Sequence, residues 1–238
     1  MTLIKPLKER ARGFLSAFCL ALFSIALLSS CNKNDDDFEE PGTSTLRVVH
    51  AMPGTSSVSF YLNRQQVAGL LYSQSTPYFA VYSGNNEVHI TTGGTQNVLA
   101  TGGIGLKQDS TYSFFITTVS ATNDSTSAII IRDDLTAPST GKAKVRFVHL
   151  IQNAPALDLA TQGGNALFTN RSFRSHTQFV EVNPGTVTFQ IKDAGTNNVR
   201  ASSAQPVNIQ AGKIYTVWAE GNVNGTDNYA QGVQVMEN

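Results

Sequence analysis

The chain has 238 residues, with 17 Lys+Arg against 17 Asp+Glu and a formal net charge of zero. Charged residues make up 14%, far below the roughly 25% of ordinary globular domains. This excludes a nucleic-acid binder working through a basic face, because neutralising phosphates needs clustered Lys and Arg. Hydrophobic residues at 41% suffice for a core and exclude a wholly disordered chain.

Residues 1–30 read as an address rather than as part of the fold. Lys5, Lys8, Arg10 and Arg12 precede the run Phe14 to Leu28, in which 13 of 15 residues are apolar. A basic start and a short apolar run are the layout of a secretory signal. At about 1.5 Å per residue the run falls short of a bilayer's hydrocarbon core. It ends in Leu28-Ser29-Ser30-Cys31, which resembles the bacterial lipobox, where the cysteine is lipidated and the preceding peptide removed. Cys19 leaves with the signal, so Cys31 has no partner for a disulfide within the chain. The expected membrane attachment is therefore through lipidated Cys31, in the cell envelope. Removing residues 1–30 leaves 13 Lys+Arg against 16 Asp+Glu, a net charge of about −3.

Residues 31–44 form an acidic tether, with five acids among Asp35 to Glu40. Such a stretch does not pack. It resembles the export signal that follows the lipidated cysteine in surface-displayed lipoproteins of the Bacteroidetes, with a plain charged spacer as the alternative. Asp35 to Asp37 lack the spaced ligands and the loop glycine of an EF-hand.

From residue 45 onward the chain reads as short strands divided by turn clusters. Thr186 to Lys192 alternates, which puts Val187, Phe189 and Ile191 on one face. Tyr112 to Val119, Ser127 to Ile131, Lys213 to Ala219 and Gly232 to Met236 are further runs rich in β-branched and aromatic residues. The turn clusters include Ser83-Gly84-Asn85, Gly163-Gly164-Asn165 and Asn183-Pro184-Gly185. The fold class is all-β.

Two halves of this body match each other. Arg47-Val48-Val49-His50 aligns with Arg146-Phe147-Val148-His149 at an offset of 99. Tyr78 to Gly84 aligns with Phe179 to Gly185 at 101, and Leu106 and Tyr112 with Ile209 and Tyr215 at 103. The drift predicts two small insertions in the second copy. Repeats of about 95 residues are the size of β-sandwich domains and too long for solenoid units. The expected organisation is sandwich 1 at 45–134, a linker at 135–143 and sandwich 2 at 144–238.

The opening Arg-(Val/Phe)-Val-His strand, the apolar strand about eight residues on, and an aromatic six residues before a turn glycine resemble the DUF4397 family. Within it, His50-Ala51-Met52-Pro53 keeps part of the family's first loop, and Asn153-Ala154-Pro155 another part. The resemblance implies secreted or lipid-anchored bacterial proteins, often in tandem copies, with an immunoglobulin-like β-sandwich. Function is unknown for the family, so it implies fold and address rather than chemistry. An antibody-type sandwich is not expected, because no cysteine pair bridges the sheets and the single Trp218 comes late in copy two.

Catalytic signatures are missing from the sequence: no nucleophile elbow, P-loop, His-Glu-x-x-His or Cys-x-x-Cys occurs, and no cofactor is implied. His50 shares a strand face with Leu46 and Val48, and His149 with Val145 and Phe147. Both are expected in the core, neutral and hydrogen-bonded, with a ligand or acid–base role as the alternative. Asp133 and Asp134 read as a solvated pair or as a calcium site at the junction. Ser110 and Ser125, each in Asp-Ser-Thr, resemble an O-glycosylation acceptor and also read as turns.

The candidate ligand-binding residues are Tyr78 and Tyr82. Alternation over Tyr78 to Tyr82 separates Phe79 and Val81 from Tyr78, Ala80 and Tyr82, and copy two keeps Val180 and Val182 at the first set. Exposed tyrosines stack on sugar rings or anchor a protein partner; Tyr78 alternatively packs under a loop, since Phe179 replaces it. The expected function is a non-enzymatic outer-membrane lipoprotein of the cell envelope, exposed on the cell surface, that presents its sandwiches for binding or adhesion to a glycan or an envelope protein. The alternative is a carbohydrate-binding accessory lipoprotein of a polysaccharide-uptake system.

Overall fold

The computed structural model describes residues 42–120 and 123–238. The signal segment 1–30, Cys31 and the acidic run Asp35 to Glu40 lie outside the described residues. Repeat 1 contains β1 (Thr43–His50), β2 (Ser57–Leu62), β3 (Gln65–Leu71), β4 (Phe79–Tyr82), β5 (Gly84–Thr92), β6 (Val98–Leu106), β7 (Thr111–Ser120) and β8 (Asn123–Arg132). Repeat 2 contains β9 (Ala143–His149), β10 (Leu157–Thr161), β11 (Ala166–Arg171), β12 (Val180–Val182), β13 (Gly185–Val187), β14 (Phe189–Asp193), β15 (Val199–Ser202), β16 (Val207–Ile209), β17 (Ile214–Glu220) and β18 (Gly232–Glu237).

Each repeat is a sandwich of two four-stranded sheets. Repeat 1 pairs the order β4-β1-β7-β8 with β3-β2-β5-β6, and repeat 2 pairs β12-β9-β17-β18 with β11-β10-β14-β15. The opening strand runs parallel to its neighbour in both copies, β1 beside β7 and β9 beside β17. The protein is therefore all-β, with two tandem immunoglobulin-like sandwiches. Leu46, Val48, Phe60, Ile90 and Phe114 fill the first core; Val145, Phe147, Leu159, Ile191 and Val217 fill the second.

The two insertions lie in hairpins. The β2–β3 hairpin turns on Asn63 and Arg64, both at positive φ (48° and 69°), as a two-residue turn matched to strand twist requires. Its counterpart between β10 and β11 has four residues, Gln162 to Asn165. The second insertion, of two residues, falls between Ser203 and Val207, and it corrects the expectation of one unbroken strand over Thr186 to Lys192. In repeat 1, β5 and β6 pair along their whole length from Gly84–Leu106 to Thr91–Val98. In repeat 2 the equivalent ladder is split into β13–β16 and β14–β15, with Thr188 in the gap. Ser203 turns inward there, its Oγ accepting from the Phe189 N–H at 3.2 Å. Pro206 supplies no N–H to the ladder. Phe189 and Ile191 nevertheless keep the buried face expected of them.

The inner sheets are buried on both faces, and this is where the two repeats meet. On β1, Leu46, Val48 and His50 point into their own sandwich. Val49 and Ala51 belong instead to a third cluster with Phe115, Ile131, Val148, Leu150, Trp218 and Met236. Those eight are four equivalent pairs: Val49 with Val148, Ala51 with Leu150, Phe115 with Trp218, and Ile131 with Met236. The same patch of each copy packs on the other, as in a two-fold isologous interface, but within one chain. Residues Pro41–Asn238 accordingly form one compact unit.

Candidate functional site

Edge strand β4 pairs with β1 through Leu46–Phe79 to Thr43–Tyr82. Its alternation turns Phe79 and Val81 onto the first core and leaves Tyr82 59% exposed. Beside it, between the open edges of the two sheets, lies a cleft of about 520 Å³ lined by Leu62, Asn63, Gln65, Val67, Val81 and Tyr82 among others. Its amides are held in place. Asn63 Nδ2 donates to Asn86 Oδ1 at 2.8 Å, Asn63 Oδ1 accepts from the Glu87 N–H at 2.8 Å, and Asn86 Nδ2 donates to the Tyr82 carbonyl at 3.0 Å. An exposed aromatic ring thus stands over apolar side chains beside ordered amides. In repeat 2 the equivalent cleft is about 190 Å³ and has Asn183 where repeat 1 has Tyr82. Asn183 Oδ1 accepts from Lys142 Nζ at 2.7 Å.

Tyr78 does not join Tyr82 in that cleft. Its ring lies under the Arg47 guanidinium, 4.1 Å from centroid to Cζ, and its hydroxyl donates to Asp133 Oδ2 while accepting from Asn238 Nδ2 at 2.9 Å. It packs in the seam between the repeats, beside Arg47, Asp133 and Asn238, a placement not expected from the sequence. Burial, then the nearby Asp133 charge, push its phenol up to about 12.

Asp133 is not a solvated side chain. It is buried, with Oδ1 taking Arg146 Nη1 at 2.6 Å and Oδ2 taking Ser113 Oγ at 2.7 Å as well as Tyr78. A guanidinium fills the place a cation would take. Asp134 caps the following turn, accepting from the Thr136 N–H at 3.0 Å and its hydroxyl at 2.6 Å. Ser110 is buried, with its Oγ donating to the Gln108 carbonyl at 3.3 Å. Ser125 is exposed on β8.

The equivalent histidines share one arrangement. His50 Nδ1 accepts from the Met52 N–H at 3.4 Å and Nε2 faces the Thr55 carbonyl at 3.0 Å. His149 Nδ1 accepts from the Ile151 N–H at 3.2 Å and Nε2 faces the Pro155 carbonyl at 3.1 Å. A carbonyl accepts only, so Nε2 carries the proton and Nδ1 is bare in both. Burial holds both rings down at about 4. They are neutral core side chains that pin the first loop of each repeat.

The seam contains polar residues that sequence reasoning passed over. Arg146 is 1% exposed, and besides Asp133 it donates through Nε to Thr216 Oγ1 at 2.8 Å and through Nη2 to Ser113 Oγ at 3.1 Å. Its counterpart Arg47 reaches the Glu237 carbonyl at 2.8 Å instead. Glu220 is 2% exposed; it accepts from Trp218 Nε1 at 2.7 Å and from Ser73 Oγ across the seam. Burial pushes its carboxyl above the usual range. Arg174 crosses in the opposite direction to the carbonyls of Thr118, Val119 and Ala128. An available signal was a pair of arginines at an offset of 99 inside otherwise apolar strands.

A family model described as a domain of unknown function, DUF4397, matches residues 44–160 and again 153–235. No curated protein matches the chain. Among solved structures, the C-terminal domain of AlgF from P. aeruginosa is 18% identical, with 42% of this chain and 100% of that one covered and a TM-score of 0.29. A family CBM26 module of Eubacterium rectale Amy13K, solved with maltoheptaose, is 10% identical over 82% of this chain and 96% of its own, at a TM-score of 0.25. A streptococcal virulence factor described by its α-glucan binding is 7% identical over 74% and 92%, at a TM-score of 0.23.

Proposed function

The chain belongs to the DUF4397 family, and we propose that it is a non-enzymatic lipoprotein of the cell envelope, anchored through Cys31 and displaying its paired sandwiches for binding. The observation that carries the binding reading is the Tyr82 cleft: an exposed ring above an apolar floor, with flanking amides already oriented. Rigid aromatics give contact area at small entropic cost. The non-enzymatic reading draws support from where the titratable groups are spent. His50, His149, Asp133 and Glu220 are each bonded into the core or the seam.

The basic and apolar segments before Cys31 and the acids after it support outer-membrane anchoring with the body facing outward. External protease on intact cells tests the orientation. Loss of the body is expected, and protection until lysis would contradict surface display.

The second reading is a carbohydrate-binding accessory lipoprotein of a polysaccharide-uptake system. The juxtaposed ring and amides of the Tyr82 cleft favour it, since sugars stack by one face and hydrogen-bond by their rims. Under this second reading, glycan binding by the full chain in detergent weakens about tenfold in Tyr82→Ala. Unchanged affinity would remove this cleft as the site.

A further inference from the structure

A second groove, of about 850 Å³, opens where the loops of the two repeats meet. Repeat 1 contributes Met52 to Thr55 and part of β6 and β8; repeat 2 contributes Gln152, Asn153 and the β17–β18 loop. None of the described side chains lining it carries a charge. Its polar lining is amide and hydroxyl, and includes Thr55, Gln152, Asn153, Asn222, Asn224 and Thr226.

The groove is built, not a gap between mobile loops. Asn222 Nδ2 donates to Gln152 Oε1 at 3.1 Å, and these two residues also form a parallel bridge. The Asn224 N–H donates to Asn222 Oδ1 at 2.9 Å. Gly225 is packed so closely that a Cβ there would fall 2.1 Å from the Tyr229 carbonyl oxygen. The Tyr229 ring stands edge-on to Tyr72 of repeat 1, with centroids 5.0 Å apart, stapling the loop across the seam. On the floor, the Thr126 hydroxyl donates to Met52 Sδ at 3.1 Å.

We propose that this inter-repeat groove is a binding site for a neutral oligosaccharide. Amide side chains offer donor and acceptor together, and hydroxyls do the same. A row of both matches the repeated hydroxyls of a sugar chain. The lack of lining charge selects against phosphorylated, sulfated or uronic ligands, which would lose their solvation without a cation to replace it. Peptides add to sheet edges or fill apolar pockets, whereas the amide side chains of this groove, Gln152, Asn153, Asn222 and Asn224, all come from the connections of repeat 2. Preformed loops lower the ordering cost of binding. The site exists only when the repeats are docked, and it stands without Tyr82.

The test is glycan-array and calorimetric binding of the full chain in detergent, using neutral hexasaccharides of glucose, mannose and N-acetylglucosamine beside acidic oligosaccharides and an unstructured peptide pool. Asn224→Lys places an exposed cation on the groove without touching either core. It should reduce neutral hexasaccharide affinity about tenfold, while Tyr82→Ala leaves that affinity within about twofold. Both variants should melt with the wild type. No neutral binding, a preference for acidic glycans or peptides, or loss in Tyr82→Ala alone would each overturn the proposal. The last outcome would leave the Tyr82 reading standing, which separates the two.

Discussion

The two repeats share a fold and a seam, yet they differ where each faces solvent. Across the seam four apolar pairs correspond one for one, from Val49 with Val148 to Ile131 with Met236. Away from it, repeat 1 has an unbroken β5–β6 ladder and a roomy cleft under Tyr82, whereas repeat 2 has a split ladder and a small cleft beside Asn183. A two-fold interface constrains both copies alike, because each residue meets the equivalent patch of the other copy. The outer surfaces carry no such constraint. What differs between the repeats is therefore the better guide to ligands, and what matches is the guide to stability.

The seam itself is symmetric in its apolar part and asymmetric in its charges, which makes it the place to break the comparison. Arg146 faces a carboxylate, whereas Arg47 faces only a carbonyl and the Tyr78 ring. Arg146→Met strands Asp133 as a buried, uncompensated charge and should cost about 3–5 kcal/mol in denaturant unfolding. Arg47→Met removes one hydrogen bond and a cation–π contact, and should cost about 1–2 kcal/mol. Equal losses would contradict the assigned asymmetry.

Trp218→Ala should be nearly as damaging as Arg146→Met, at about 3–5 kcal/mol, because it opens a cavity in the seam and removes the indole donor to buried Glu220, leaving Ser73 on its other oxygen. Phe115→Ala opens the matching cavity with no polar consequence and should cost less than Trp218→Ala.

Acid should weaken both repeats alike. His50 and His149 sit at about 4 in the fold against 6.5 when free, so between those values the unfolded chain binds more protons. Stability is then full above pH 6.5 and falls as pH drops toward 4, by up to about 3 kcal/mol per histidine. Glu220, raised by burial, acts the other way: it favours the fold more once protonated. The expected net result is a fall, read as the urea midpoint between pH 7 and pH 4.5. His50→Gln together with His149→Gln should flatten it. The smallest effect is Tyr82→Ala, which should leave stability within about 0.5 kcal/mol, as an exposed substitution does.

The repeat was legible in the sequence because period-two patterning and turn clusters recur in both copies. The inward side of the β4 strand followed from Val180 and Val182 standing opposite Phe79 and Val81. The drift in offset pointed to two insertions, but nothing in Thr186 to Lys192 showed that Ser203 would enter and divide the strand. The histidines were readable from strand parity alone. The seam was not. Its residues lie on the other face of strands whose alternation already accounted for a core, so nothing singled out Arg47, Arg146 and Glu220 as buried. The adjacent apolar pairs Val48-Val49 in β1 and Phe147-Val148 in β9, which put an apolar side chain on each face, were the available signs of a doubly buried strand. The inter-repeat groove was equally hidden, since its walls come from residues about 170 positions apart that only tertiary packing brings together.

The claim on which both the groove and the stability pattern depend is that the repeats unfold as one body. Trp218 is the only tryptophan and stands at the seam, so its fluorescence reports docking while far-UV circular dichroism reports the sheets. Followed together in urea, the two signals should trace one coincident transition. A fluorescence change that precedes the loss of β-structure would mean the sandwiches separate first, and would contradict a single docked body.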